Sequence, residues 1–250
     1  MKPVVCAIGT TEPWTAAGLG LDVRALSELG AHPLIVVAAV SAQDAGGVHG
    51  LFPVPLTALR AQLDALASAP LDAFRVGALP TLELAREVAV WLAAASVPSV
   101  YDPAFAASGG GPLSADDAAS IAWAVLPQAS LITPNLDEAE RLLGRPVRDV
   151  AHMRAAASDL VARGARAVLL KGGHLAGEAC DVLCDADGLE TLTAPRLALE
   201  LRGTGCLLAD ALAVGLARGA PLREAVAFAR AFVRDKIEGG FGLGGMRIAD

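Results

Sequence analysis

Five consecutive residues late in the chain, Arg202-Gly203-Thr204-Gly205-Cys206, have the types and spacing of an anion cradle. They stand just before a helical pattern with Leu208, Leu212 and Leu216 on one face. Glycines at a helix start leave successive backbone N–H groups open, and the helix dipole adds positive potential there. The same field favours a thiolate, so Cys206 in the first turn is a candidate base. The competing reading is a tight loop leading into a buried helix, with Cys206 a small core residue. Asn135-x-x-Glu138 has the form of a capping box, in which Asn135 caps a helix and Glu138 reaches back. Its functional reading puts Glu138 on water around a magnesium ion near substrate phosphates, and both readings can hold at once. Lys171-Gly172-Gly173-His174 offers a phosphate-contacting loop, although Gly-Gly after a strand is also ordinary turn chemistry, and His174 reads as a loop residue, not a ligand. Cys180 and Cys184 lack a second ligand cluster and read as core. There is no Walker A lysine motif. Thr10-Thr11-Glu12-Pro13-Trp14-Thr15-Ala16-Ala17-Gly18 stands where a Gly-x-Gly-x-x-Gly would follow the first strand, which argues against the usual dinucleotide fold.

The elements that must hold these groups alternate. Apolar runs at Val4–Ile8, Leu34–Val40, Ala73–Val76, Ser99–Tyr101, Ser130–Thr133 and Ala167–Leu170 predict buried parallel strands. Between them lie helical stripes: Leu19, Val23, Leu26 and Leu29; Leu56, Leu59, Leu63 and Leu66; Leu82, Ala85, Val88, Ala89 and Leu92; then Val150, Met153, Ala157, Leu160 and Val161. Ser114–Leu126 reads as a further helix, and Thr204–Ala217 and Leu222–Ile237 as the two closing ones. Ala179–Cys184 and Leu189–Thr193 flank Asp185-Ala186-Asp187-Gly188, a β-hairpin turn composition. Gly109-Gly110-Gly111 reads as a loop and Gly239–Gly245 as a loose tail. This order predicts a central, mostly parallel sheet with helices on both faces and a hairpin towards the C-terminus, all in one domain over residues 1–250. Ligands of such sheets bind beyond the carboxyl ends of the strands, where Thr10, Gln43, Asp102, Asn135 and Lys171 all stand.

Composition narrows the partners. Twenty basic against 27 acidic side chains among 250 residues give a net charge of −7, against a polyanion-binding surface and hence against nucleic acid. Apolar residues at 54% exclude a disordered chain. Four irregularly spaced cysteines point to a reducing compartment, and no apolar run approaches the roughly 18 residues of a membrane span. A cytoplasmic location is expected.

Taken in order, Gly9-Thr10, Glu12-Pro13, Ala17-Gly18-Leu19, Asp22, Ser41-Ala42-Gln43-Asp44, Val76-Gly77-Ala78-Leu79, Asp102-Pro103, Leu131 to Glu140, Lys171-Gly172-Gly173-His174-Leu175, Ala194-Pro195-Arg196 and Gly203-Thr204-Gly205-Cys206 resemble the hydroxymethylpyrimidine/phosphomethylpyrimidine kinases of the ribokinase superfamily. The resemblance covers nearly the whole chain. It implies a ribokinase-like α/β fold and a homodimer that uses ATP and Mg²⁺ to phosphorylate 4-amino-5-hydroxymethyl-2-methylpyrimidine and its monophosphate in thiamine biosynthesis. By that resemblance Gln43 bonds the ring edge of this small-molecule substrate, with Gly9, Ala17, Asp22 and Ala104 nearby. Cys206 takes the hydroxymethyl proton, and residues Gly203, Thr204 and Gly205 hold the γ-phosphate. Lys171, Asn135 and Asp102 line the ATP site, and Glu138 serves the metal.

The chain departs from the pattern at three places. Thr15-Ala16, with one inserted residue, replaces the usual glycine pair of the first loop; Ser108 stands for a lysine; Arg202 stands for the histidine before the cradle. Two other readings remain: a pyridoxal-type vitamin kinase, since relatives on this fold phosphorylate that hydroxymethyl group, and a non-catalytic pyrimidine-binding homologue, which Ser108 motivates. Gln43, whose amide can pair with an amino-pyrimidine edge, favours the pyrimidine over pyridoxal, and Cys206 between intact neighbours weighs against a mere binder.

Overall fold

A computed structural model describes residues 2–173, 175 and 177–250; His174 of the predicted phosphate loop lies outside the described residues. The strands are β1 (Val4–Thr11), β2 (His32–Asp44), β3 (Gly47–Pro53), β4 (Ala73–Val76), β5 (Ser99–Tyr101), β6 (Leu131–Ile132), β7 (Val168–Lys171), β8 (Ala179–Asp185), β9 (Gly188–Ala194), β10 (Phe241–Leu243) and β11 (Met246–Ile248). The helices are α1 (Gly18–Glu28), α2 (Leu56–Ala65), α3 (Leu82–Ala94), α4 (Ala118–Val125), α5 (Leu136–Leu143), α6 (Val150–Ala162), α7 (Thr204–Ala217) and α8 (Leu222–Gly239). Nine strands form one sheet in the order β3-β2-β1-β4-β5-β6-β7-β8-β9. The six from β2 to β7 in that order run parallel, and β3, β8 and β9 are antiparallel to their neighbours.

Strand side chains alternate between faces, and the two faces are buried by different helices. Cys6, Ile8, Phe74, Val76, Tyr101, Ile132, Val168 and Leu170 pack on the side covered by α2 to α6. Val5, Ala7, Ala73, Val100, Leu131 and Leu169 face α1, α7 and α8. Both layers are apolar, which is why the strands read as continuous hydrophobic runs. The last helix of the site, α7, is nearly encased: Leu207 to Gly215 are all buried.

Three sequence expectations change. β3 went unread because Gly50 and Pro53 interrupt its pattern, yet it pairs with the extended end of β2 from Ala39↔Pro53 to Asp44↔Gly47. Asp44 Oδ1 accepts the Gly46 N–H at 2.7 Å and sets the turn between them. Gly239–Gly245 is not a loose tail: Phe241 to Leu243 pair with Met246 to Ile248, and Ile248 and Ala249 are buried. The helix expected from Ser114 starts at Ala118, because Asp117 accepts the Ser120 N–H at 2.8 Å and caps it there.

Candidate active site

The cradle forms as its residue types require. Gly203 is the N-cap of α7 with φ 82°, and a Cβ there would meet the Ala16 carbonyl oxygen and, at 2.5 Å, Leu21 Cδ2. Only glycine fits both the left-handed backbone and the crowding. No side chain caps this helix, so its first N–H groups stay available. Gly205 turns its bare Cα towards the Asp102–Lys171 pair; a Cβ would sit 3.2 Å from Asp102 Oδ2 and 3.4 Å from Lys171 Nζ. The turn and the ion pair therefore share one corner beyond the carboxyl ends of β5 and β7.

Asp102 is 4% exposed and accepts Lys171 Nζ at 2.6 Å and Thr133 Oγ1 at 3.0 Å on one oxygen. Burial alone would raise its pKa, but the Lys171 and Arg75 charges outweigh it and hold the carboxyl below its ordinary value. Lys171 is likewise held above its ordinary value: burial opposes its charge, and Asp102 and Glu138 restore it. Asn135 and Glu138 form the predicted capping box at 2.7 and 2.9 Å, and a bridge joins Asn135 to Lys171. Burial pushes the Glu138 carboxyl up to about 7 against the pull of Lys171. A positive charge beside it would keep it ionised.

At the other end of the site, Gln43 stands next to last in β2 with its Oε1 buried and without a partner among the described residues. A buried amide oxygen left open costs free energy unless a ligand supplies the donor. Gly9 is buried late in β1, Ala104 follows β5, and Ala17 is the N-cap of α1. Ala17 owes its position to Glu12, which sequence reasoning quoted only as part of a motif. One buried carboxylate gathers the N–H groups of Trp14, Ala16 and Ala17 at 2.6, 2.5 and 2.9 Å and folds that loop against the cradle. Asp22 lies deeper than the resemblance implied: it is fully buried, with Oδ2 3.3 Å from Arg75 Nη1.

Cys206 is half-buried in the first turn of α7. The helix field that favours the anion there is opposed by the surroundings. Burial pushes the thiol up to about 12, and the buried carboxylates Asp22, Asp102 and Asp210 add to that; Arg75 alone among the dominant charges pulls it down. Arg75 and Asp210 were missed in sequence, the first hidden inside an apolar strand pattern and the second inside an apolar helix.

The profile of the family described as phosphomethylpyrimidine kinase matches residues 13–249. This chain belongs to the phosphomethylpyrimidine kinase family. The hydroxymethylpyrimidine/phosphomethylpyrimidine kinase of Streptomyces coelicolor is 39% identical over 246 residues, covering 97% of this chain and 91% of the relative. Among solved structures, a phosphomethylpyrimidine kinase from Clostridium difficile matches with TM-score 0.82 and 26% identity over 94% of this chain and 99% of that one. A Bacillus subtilis pyridoxal kinase solved as an ADP complex matches with TM-score 0.91 and 26% identity over 100% of this chain and 97% of that one. The fold is the ribokinase-like one that the sequence predicted.

One departure from the phosphomethylpyrimidine kinase pattern has a visible cost. Thr15, where glycine is usual, is the only described non-glycine residue at positive φ, 51°. A β-branched residue there is strained by roughly 1–3 kcal/mol. Thr15→Gly should therefore raise the melting temperature by about 2–4 °C per kcal/mol relieved, read in a thermal melt. An unchanged or lower midpoint refutes the strain.

Proposed function

We propose that this kinase transfers the γ-phosphoryl group of ATP to the hydroxymethyl oxygen of 4-amino-5-hydroxymethyl-2-methylpyrimidine, and then phosphorylates the monophosphate product, as a step of thiamine biosynthesis. The observation that carries the reading is the shared corner of the uncapped Gly203–Cys206 turn with Asp102 and Lys171. Charge developing on a travelling phosphoryl group meets preorganised N–H donors there, usually the largest catalytic effect in such reactions. Cys206 takes the acceptor's proton, Lys171 approaches the phosphates, and the open Gln43 oxygen accepts from the ring's amino group. Gly9, Ala17 and Ala104 shape the pocket around that ring, and Asp22 supports it from below.

The donor set fits Mg²⁺. Among the described residues no group of three or more His, Cys, Asp or Glu side chains can hold a metal unaided. A hard cation bound through one carboxylate, water and phosphate oxygens needs no such group, and Glu138 beside Asn135 is that carboxylate. Mg²⁺ there would neutralise triphosphate charge. Glu138→Gln keeps the capping reach and removes the charge, so the fold should hold while kcat/KM for Mg·ATP falls about 10–100-fold. Loss of stability without loss of activity would make Glu138 a cap alone.

Pyridoxal is the second reading, because the pyridoxal kinase likeness has the higher TM-score, 0.91 against 0.82. ADP release measured against the pyrimidine, its monophosphate and pyridoxal decides between them. Turnover confined to pyridoxal, or none with any acceptor, overturns the proposal. The chain works as one unit, which we expect to be a cytoplasmic homodimer. No described helix is long and apolar enough to cross a membrane.

A further inference from the structure

Beneath the cradle lies a charged cluster of which the proposed function has used only Asp22. Arg75 points from β4 to the face of the sheet covered by α1 and α7, opposite to Phe74 and Val76, and is 1% exposed. Its Nη1 is 3.3 Å from Asp22 Oδ2 on α1, and its Nε is 3.5 Å from Asp210 Oδ1 on α7. Both carboxyls are fully buried. Asp210 is four residues beyond Cys206, one helical turn along the same face. We propose that Arg75 is a positioning residue for phosphoryl transfer: its guanidinium, buried against Asp210 one helical turn beyond Cys206, is the fixed positive charge against which the Cys206 sulfur becomes an anion.

Buried ions persist when paired and hydrogen-bonded, and this cluster is paired without being hydrogen-bonded. Arg75 Nε and Nη2, and all four carboxyl oxygens of Asp22 and Asp210, lack hydrogen-bond partners among the described residues. The guanidinium is thus held by two ion pairs, at 3.3 and 3.5 Å, that lack hydrogen-bond geometry. Two carboxyls share one guanidinium, and burial pushes Asp22 up to about 6 and Asp210 well above its ordinary value. Asp22 adds to the proton affinity of Asp210, and the guanidinium lowers that of both. The charges that act on Cys206 are those of Arg75 from β4, Asp22 from α1, Asp210 from α7, Asp102 beyond β5 and Lys171 at the end of β7. Three of the five are acidic. Without Arg75 the sulfur would meet burial and carboxyls with Lys171 as its only cation.

The inference rests on Cys206 being the base. The thiol proton leaves to water; the thiolate then takes the hydroxymethyl proton, the alkoxide oxygen bonds to the γ-phosphorus, and the bond to the β-phosphate oxygen breaks to release ADP. The regained thiol proton returns to water. Arg75 acts only on the first of these events.

Alkylation of Cys206 by iodoacetamide, followed by peptide mass spectrometry between pH 7 and 10, reads thiolate content without any kinase substrate. Arg75→Met should slow it about tenfold or more at pH 9, the effect of one lost neighbouring charge, and Arg75→Lys should restore most of the rate. Gly77→Ala gives the second arm, because a Cβ there would collide with Arg75 Nη1 and lie 3.2 Å from its Cζ. The charge is kept but displaced, so alkylation should slow in the same direction. If Arg75→Met does not fold, Gly77→Ala decides alone. Alkylation within twofold of the parent in a folded variant overturns the role of Arg75 and leaves the base reading standing. Full turnover in Cys206→Ala would overturn the base reading whatever the alkylation shows.

Discussion

Cys206→Ala should lower kcat by about 10²–10⁴-fold, the usual share of a general base, with KM for ATP close to the parent's. The nucleotide's polar contacts in the proposed site are backbone N–H groups, Lys171 and Asn135, none of which the substitution touches. The fold should survive. The residue is half-buried, and the lost apolar area corresponds to about 1 kcal/mol or less. A stability signature accompanies the kinetic one. The folded thiol is pushed up to about 12 from an ordinary 9.0, so the native state keeps a proton that the unfolded chain has released. That contribution is fully present below pH 9 and is lost as pH rises towards 12, and the alanine variant lacks it. Melting curves of the two proteins should therefore converge above pH 9 if the parent is the more stable below it. The kinetic result decides the chemistry: a variant that turns over at the parent's rate would show that the acceptor loses its proton elsewhere, with Asp22 or Asp102 the carboxyls at hand.

How much of this was readable beforehand depends on whether a residue's role is local. The Asn135–Glu138 box and the Gly203 turn are local: a cap needs its partner three residues on, and a left-handed N-cap announces itself as glycine before a helical stripe. Both formed where the pattern put them. The parallel strands were equally legible, since burial on both faces leaves them apolar throughout. What failed was distant in sequence. β3 has two glycines and a proline in its pattern and is a strand because β2 outlasts its apolar core and offers an edge. The β10–β11 hairpin packs Gly244 against Trp14 some 230 residues earlier, a contact invisible to any window. Arg75 was hidden for the opposite reason: within a buried strand, a lone arginine looks like noise until α1 and α7 bring Asp22 and Asp210 to it. The proton affinity of Cys206 follows the same rule. Its helix position is local and favours the anion, whereas its burial comes from the tertiary fold and wins.

Gly203→Ala should be a severely damaging change for a single methyl group. Its φ of 82° places a Cβ in a region that costs an L-residue about 1–3 kcal/mol, and the new atom would also press on Leu21 Cδ2 and the Ala16 carbonyl. Neither neighbour can yield easily. Leu21 is 1% exposed, and Ala16 is held by the Glu12 carboxylate at 2.5 Å. The strain is relieved most readily by tilting the turn itself, which moves the N–H groups of residues 204–206 away from where phosphoryl charge develops. A lost oxyanion-type donor costs about 10²–10³-fold in kcat, so a comparable loss is expected with KM for the pyrimidine little changed. Thermal melts separate this from unfolding: a midpoint lowered by several degrees with full activity would mean that the turn is a structural hinge and not the phosphoryl cradle. Thr15→Gly provides the internal control, because it frees the facing loop between β1 and α1 from strain without adding an atom to the turn. If the double variant Thr15→Gly/Gly203→Ala regains stability but not turnover, displacement of the N–H groups is the cause of the catalytic loss.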